Sequence, residues 1–211
     1  MSNTTIPKVL VIVVSCEKNK YIWPIVLERQ IDNLIIICGG AAEDKLEGQM
    51  LYLKCSDLYD GLCEKMMSAF SFISNSDTFR EYTHFLKADD HDTYLNKLVI
   101  QNIPISFTSI LNTHDYIGQE ILTNDFSKDG STWHFGKVHK ESIWYNKRCY
   151  QYSTPYASGG GTYILSRRAL LLISLNRDSN QLYEDSMMGS ILIKHNIAPY
   201  ECNYGIPHWQ G

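Results

Sequence analysis

Residues 85–96, FLKADDHDTYLN, place three aspartates within four positions, directly after an apolar segment that is typical of the end of a buried strand. Carboxylates this close repel one another, so they cost stability at a strand exit unless a cation lies among them. Their oxygens and the neighbouring imidazole suit Mg²⁺ or Mn²⁺, which commonly carry phosphates. The stretch therefore indicates a metal and diphosphate site at the carboxyl edge of a sheet.

The same stretch allows a simpler interpretation. A short acidic cluster is often a solvated loop, and Asp92 and Thr93 could cap a helix that begins near Tyr94. The apolar strand before the cluster and the motifs elsewhere in the chain favour the metal site.

Apolar runs around this stretch predict an α/β sheet. Residues 9–14 are a continuous β-branched run, residues 33–38 predict a second buried strand and residues 50–55 a third. Residues 41–48 are polar and acidic and predict a loop or short helix, and residues 58–73 have the apolar spacing of a helix. This order implies crossover connections, and ligands of such sheets bind beyond the carboxyl ends of the strands. The acidic cluster lies where that rule places a ligand.

The second half of the chain has a weaker pattern. Residues 106–111 could form a strand, and residues 123–152 are polar, aromatic and irregular. Such a stretch, with Trp133, Trp144 and Tyr145 among its aromatic residues, is either a binding loop or a surface insertion with local packing.

Two further motifs carry possible chemistry. Residues 159–161 are three glycines, which allow a close approach of the backbone to a ligand but most often form only a tight turn. Glu184 and Asp185 precede an apolar helix, where they could cap it or supply a general base. His208, near the end of the chain, is a candidate late metal ligand.

Composition excludes several classes of protein. A length of 211 residues suits one domain, and a formal charge of −4 gives no electrostatic case for nucleic acid. No apolar run reaches about 18 residues, so no membrane span is expected. Without a recognisable signal peptide we expect a cytoplasmic protein whose six cysteines are reduced; they contain no C-x-x-C pair, which argues against a zinc ribbon.

Four blocks together resemble one family. They are residues 57–65 (DLYDGLCEK), residues 85–96, residues 155–166 (PYASGGGTYILS) and residues 184–199, which contain Glu-Asp and later Ile-Ala-Pro. In this order they resemble the GT-A glycosyltransferases, and among them the β-1,3-glycosyltransferases related to β-1,3-galactosyltransferases, Fringe and core 1 galactosyltransferase. The chain departs from the family pattern at Gly61, His91, Thr162 and Ser186; aligning Asp92 with the last aspartate of the family motif makes His91 an insertion.

The resemblance implies a fold and a reaction. It implies a single GT-A domain over residues 1–211, with a mixed, mostly parallel central sheet flanked by helices. Residues 1–100, approximately, would bind the nucleotide and residues 101–211 would supply the acceptor and catalytic half. The implied reaction is metal-dependent and inverting, and moves a hexose or N-acetylhexosamine from a UDP-sugar to an acceptor hydroxyl, with a β-1,3 linkage to a glycan. Oligomeric state is not predicted.

The resemblance also implies roles for individual residues. Asp185 would be the catalytic base, and Glu184 would orient the acceptor or the base. Mn²⁺ or Mg²⁺ would be bound by Asp90, Asp92 and His208. The residues implied to contact the donor are Ser15, Lys87, Asp89, Asp90, Gly159, Gly160 and Gly161.

Two other functions fit part of the pattern. Paired aspartates also serve metal-dependent phosphohydrolases and nucleotidyltransferases, although those leave the glycine block and the distant Glu-Asp unexplained. The inserted His91 also leaves open a catalytically silent GT-A domain that only binds a UDP-sugar.

Overall fold

In the computed structural model, which describes residues 6–91, 95–123, 126–150, 154–176 and 181–206, strand β1 (Val9–Val14) is buried along its whole length. Its even-numbered side chains enter one hydrophobic core and its odd-numbered side chains enter another. Successive side chains of a strand point to opposite faces, so a strand that is apolar at every position must be covered on both faces.

The other strands complete an eight-stranded sheet and a separate two-stranded pair. They are β2 (Leu34–Cys38), β3 (Lys45–Glu47), β4 (Met50–Tyr52), β5 (His84–Asp89), β6 (Tyr116–Gly118), β7 (Ile121–Leu122), β8 (Tyr156–Ala157), β9 (Tyr163–Ser166) and β10 (Tyr200–Glu201). The order in the large sheet is β10-β6-β9-β5-β1-β2-β4-β3, and β7 pairs with β8. Strands β4, β2, β1 and β5 are parallel, β10 runs parallel to β6, and β9 and β3 run antiparallel to their neighbours.

Helices cover both faces of this sheet. They are α1 (Trp23–Leu27), α2 (Leu62–Asn75), α3 (Lys97–Leu111), α4 (Arg167–Ser174) and α5 (Glu184–Lys194). Helices α2, α4 and α5 contribute to one core and helices α1 and α3 to the other, which gives three layers. The predicted mixed, mostly parallel sheet flanked by helices is confirmed.

The register of the parallel strands sets the position of the site. Val14, the last residue of β1, lies opposite Asp89 of β5 and Ile37 of β2. The residues that follow these strands therefore meet at one edge of the sheet, which is where ligands of open α/β sheets bind.

Two local predictions are wrong. Residues 106–111 are not a strand but the end of α3, whose first turn is capped by the Asn96 side chain accepting a hydrogen bond from the Val99 N–H. Pro104 lies inside this helix, and Phe107 has non-helical dihedral angles. The end of the helix is therefore irregular, and its sequence does not have a regular helical pattern. Residues 41–48, expected as a loop or short helix, contain the edge strand β3.

Within the described part of the chain, no helix has the length and the apolar character needed to cross a membrane.

Candidate active site

The carboxylate of Asp90 is fixed at the exit of β5. Its Oδ2 accepts hydrogen bonds from Ser15 Oγ at 2.7 Å and from Asn19 Nδ2 at 2.9 Å, and Ser15 Oγ in turn accepts from Trp23 Nε1 at 2.7 Å. Burial alone would raise the pKa of Asp90, but the hydrogen bonds from His91, Ser15 and Asn19 outweigh burial and lower it. This carboxylate is therefore held in its charged form.

A second carboxylate, Asp57, lies at the same edge. Asp57 Oδ1 receives Lys65 Nζ at 2.7 Å and the Gly39 N–H at 2.8 Å, and Oδ2 receives the Glu17 N–H at 2.7 Å. Lys65 Nζ also donates to the Ser15 carbonyl oxygen at 2.7 Å, which connects this group to Asp90. Burial opposes ionisation, but these donors lower the pKa of Asp57 overall.

A cleft of about 270 Å³ opens beside Asp57. The residues that line it lie at the ends of β2 and β4 or follow β1, β2 and β4, and are Glu17, Cys38, Gly39, Gly40, Ala41, Tyr52 and Asp57. The sequence alone assigned no role to Asp57 or Lys65, although both stand in the block at residues 57–65. Their spacing within that block was the available signal.

Lys87 contacts three segments of the chain at the carboxyl edge of the sheet, on the side away from the cleft. Its buried Nζ lies 2.6 Å from Asp89 Oδ1, 2.6 Å from the Gly159 carbonyl oxygen and 4.0 Å from Glu184 Oε1. Burial disfavours the charged ammonium, but Asp89 and Glu184 outweigh it and raise the pKa of Lys87. Lys87 therefore connects β5, the glycine block and the start of α5 as a permanent cation.

Glu184 and Asp185 form an acid pair at the first turn of α5. Glu184 is buried and its Oε1 accepts a hydrogen bond from Tyr163 OH at 2.6 Å. Burial raises the pKa of Glu184 to about 7, against the opposing effect of Lys87. Asp185 is half-buried; its Oδ2 accepts from the Gly159 N–H at 2.9 Å and its Oδ1 from the Ser186 N–H at 2.7 Å. Burial also raises the pKa of Asp185, although these N–H groups lower it.

The glycine block approaches this acid pair. A Cβ atom on Gly159 would lie 2.8 Å from Glu184 Oε2 and 3.1 Å from Asp185 Cβ, distances that a side chain cannot occupy without displacing them. A Cβ atom on Gly160, which is exposed, would meet nothing within 4 Å. The close approach of the backbone is therefore a property of Gly159 and concerns the protein's own carboxylates.

The aromatic insertion packs against the residue that precedes the acid pair. Tyr183 OH donates a hydrogen bond to Ser131 Oγ at 2.7 Å and contacts Nδ1 of the buried His134 at 2.7 Å. Trp144 and Tyr145 are partly buried against the same small core. The insertion is thus attached to the start of α5, and neither Trp144 nor Tyr145 is a fully exposed ring.

The predicted site residues fall into two neighbouring groups. Ser15 and Asp90 belong to the first, and Lys87, Asp89, Gly159, Glu184 and Asp185 belong to the second. Gly160 is exposed and Gly161 is buried. The predicted metal ligands Asp92 and His208 lie outside the described residues.

The described residues fit a divalent cation in part. Asp90 supplies a hard oxygen donor that is kept ionised at the strand exit, as Mg²⁺ and Mn²⁺ require. Asp89 is already paired with Lys87. Among the described residues, no three histidine, cysteine, aspartate or glutamate side chains converge on a point where they could hold a metal ion. The donor chemistry of Asp90 is therefore suitable for such a cation.

The comparison of this chain with protein families agrees with these motifs. The model described as Galactosyltransferase matches residues 31–203, which include both carboxylate groups of the site. The chain belongs to this family. Membership confirms the predicted resemblance to β-1,3-galactosyltransferases and the GT-A fold class, and identifies this galactosyltransferase-family chain as a glycosyltransferase.

Two solved structures are distantly similar to this chain. A cytidylyltransferase from Leptospira borgpetersenii serovar Hardjo-bovis has a TM-score of 0.47 and 11% identity, over 93% of this chain and 77% of that chain. A 4-diphosphocytidyl-2C-methyl-D-erythritolsynthase from Anaerococcus prevotii also has a TM-score of 0.47 and 11% identity, over 100% of this chain and 94% of that chain. These similarities are too distant to indicate the reaction of this chain. No sequence among curated proteins matches it.

Proposed function

We propose that this chain is a metal-dependent, inverting glycosyltransferase that moves a hexose or N-acetylhexosamine from a UDP-sugar to an acceptor hydroxyl of a glycan, with a β-1,3 linkage. Family membership supplies the reaction class. The observation that carries the proposal is the acid pair with raised pKa values beside the carboxyl edge of the sheet.

Asp185 is the base in this proposal. It is half-buried, whereas Glu184 is buried behind Gly159 and bound to Tyr163 OH. The two N–H groups from Gly159 and Ser186 orient the Asp185 carboxylate, and burial raises its pKa, which increases its basicity. A general base works best when its pKa lies near the operating pH. Glu184 orients the acceptor or the base in this proposal.

The reaction is a single displacement. The acceptor oxygen forms a bond to the anomeric carbon of the donor, the bond from that carbon to the diphosphate oxygen breaks, and UDP leaves with the electron pair. The hydroxyl proton passes to Asp185. Attack from the face opposite UDP inverts the configuration at the anomeric carbon.

The first half of the chain binds the donor in this proposal. The cleft beside Asp57 takes the nucleoside, and residues 1–100, approximately, act as the nucleotide-binding half, with residues 101–211 supplying the acceptor side. Asp90, with Asp92 and His208, would hold Mn²⁺ or Mg²⁺, which when bound neutralises charge on the departing diphosphate. Ser15 positions Asp90, because its hydroxyl donates to the Asp90 carboxylate.

Calorimetric titration of UDP tests this proposal. We expect UDP to bind the wild-type protein in Mn²⁺, to bind at least tenfold more weakly in EDTA, and to lose the effect of Mn²⁺ in Asp92→Ala. Asp32→Ala is the matched control, because Asp32 is an exposed carboxylate away from the sheet edge. Absence of UDP binding by the wild-type protein in Mn²⁺ would overturn the donor assignment, and equal binding in EDTA would overturn the metal dependence.

A further inference from the structure

Trp133 is a large apolar side chain that the insertion leaves open. It is 68% exposed, and its backbone N–H donates to Ser131 Oγ at 3.3 Å. The ammonium of Lys137 lies 3.7 Å from the centroid of its ring. A cation on one face of an indole fixes that ring and leaves the opposite face available.

The ammonium of Lys137 has hydrogen-bonding capacity that the described residues do not use. Its Nζ lies between two rings, 3.7 Å from the Trp133 centroid and 5.6 Å from the Tyr59 centroid. Across the ranges that the structure describes, the ammonium of Lys137 makes no hydrogen bond or ion pair. Lys137 is an exposed residue, and partial burial of its ammonium lowers its pKa. An ammonium has three donors, and this arrangement suits a ligand that brings oxygen atoms to it.

Two separate paths connect this pair of side chains to the acid pair. On one path, Ser131 Oγ, which accepts from the Trp133 N–H, also accepts from Tyr183 OH, and Tyr183 immediately precedes Glu184. On the other path, Lys137 contacts Tyr59, whose pKa is raised by burial and then by Tyr183 and the acid pair. Trp133 and Lys137 are therefore attached, through Ser131 and Tyr59, to the surroundings of the acid pair.

We propose that Trp133, Lys137 and Tyr59 form an acceptor subsite, in which the C–H face of a pyranose ring stacks on Trp133 and its hydroxyl oxygens accept hydrogen bonds from Lys137. A sugar ring presents an apolar face and a polar rim, and the site pairs an aromatic face with a nitrogen donor in the same way. This inference rests on the proposed function, since it supplies the acceptor side of that reaction.

The test measures binding of two simple glycosides by saturation-transfer NMR in the presence of UDP and Mn²⁺. The probes are methyl β-D-galactopyranoside and methyl β-N-acetyl-D-glucosaminide. We expect Trp133→Ala to weaken binding of the preferred glycoside about tenfold, as loss of a central aromatic contact does, and Trp133→Phe to weaken it less. We expect Lys137→Met to weaken it severalfold. UDP affinity should stay unchanged in all three variants.

Tyr150→Ala is the matched control, because Tyr150 is another exposed aromatic of the insertion, 58% exposed, that has no contact with Lys137. The subsite is overturned if Trp133→Ala and Tyr150→Ala both bind the glycoside as the wild-type protein does, or if the wild-type protein binds neither probe. Failure of the proposed function is a different result: a wild-type protein that binds glycoside at Trp133 but binds no UDP supports the subsite and contradicts the donor assignment.

Discussion

The two carboxylate groups at the edge of the sheet have opposite electrostatics. Asp57 and Asp90, on the side of the cleft, have lowered pKa values. Glu184 and Asp185, at the start of α5, have raised ones. Both groups are removed from bulk water to a large extent, so burial alone does not explain the difference.

The difference comes from the balance between burial and the stabilising partners of each carboxylate. Asp57 accepts from Lys65 and two backbone N–H groups, and Asp90 accepts from two side chains on Oδ2 alone. Asp185 also accepts from two N–H groups, but burial outweighs them. At Glu184 burial outweighs Lys87 and the Tyr163 hydroxyl. A carboxylate whose partners outweigh burial keeps its charge and is suited to binding cations, whereas one at which burial prevails takes up a proton more readily and is suited to proton transfer.

The largest expected effect comes from removing the proposed base. Asp185→Asn keeps the size of the side chain but cannot take a proton, so we expect the rate of sugar transfer to fall by about 10²- to 10⁴-fold. UDP binding should not change, because the donor is assigned to the other group. Transfer assays with a UDP-sugar and a glycoside acceptor measure the rate, and calorimetry measures UDP binding.

Asp32→Asn controls for the loss of one carboxylate charge at an exposed position. A rate for Asp185→Asn within a few-fold of the wild-type rate would show that Asp185 is not the base, and Glu184 would then be the candidate base.

The next effect in size concerns Lys87, the cation beside the acid pair. Lys87→Met leaves Glu184 buried without its cation and removes a hydrogen bond to the Gly159 carbonyl oxygen. We expect the free energy of unfolding to fall by about 3–5 kcal/mol, as for other broken buried pairs, measured by urea denaturation. Lys45→Met, at an exposed pair with Glu47, is the control and should leave the midpoint nearly unchanged. Equal midpoints for both variants would contradict a role for Lys87 in compensating the buried acids.

The sequence predicts the strands of this site better than the contacts between its side chains. The β-branched run at residues 9–14 is apolar at every position, which only a central strand covered on both faces accommodates, so β1 was predicted with its observed bounds. The acids at the exit of β5 and in the first turn of α5 were also found, because charge at the end of an apolar element is conspicuous in a sequence.

Contacts between distant segments were not predictable in the same way. Asn19 and Trp23 support the Asp90 carboxylate directly and through Ser15, but the hydrogen bonds depend on how the turn after β1 folds over the strand exit, more than 65 positions away in the chain. The prediction for the end of helix α3 was wrong for a local reason. Pro104 and the β-branched and aromatic residues near it weaken helical propensity, and packing into the core overrides that preference.

The pH dependence of stability sharpens the comparison between the two groups. The pKa of Glu184 is about 4.5 when unfolded and about 7 when folded, so the folded state binds more protons between these values. The contribution of Glu184 to stability therefore falls as pH rises from about 4.5 to about 7 and is constant above that range. We expect the wild-type protein to lose stability relative to Glu184→Gln between pH 5 and pH 8, measured by urea denaturation at each pH. Glu43→Gln, at an exposed position, is the control; a difference between wild type and Glu184→Gln that does not vary with pH would show that this carboxyl group is not desolvated.

The smallest expected effect tests whether the acid pair depends on the backbone next to it. A Cβ atom on Gly159 would lie 2.8 Å from Glu184 Oε2, so Gly159→Ala must displace the acid pair or the loop. We expect a loss of about 1–3 kcal/mol in the free energy of unfolding and a slower transfer rate, with UDP binding unchanged. Gly160→Ala is the matched control, because its Cβ would meet nothing within 4 Å. If both variants lose transfer activity equally, the glycine block is needed for flexibility or for contact with the sugar. If only Gly159→Ala loses it, Gly159 is needed because a side chain there would displace the carboxylates.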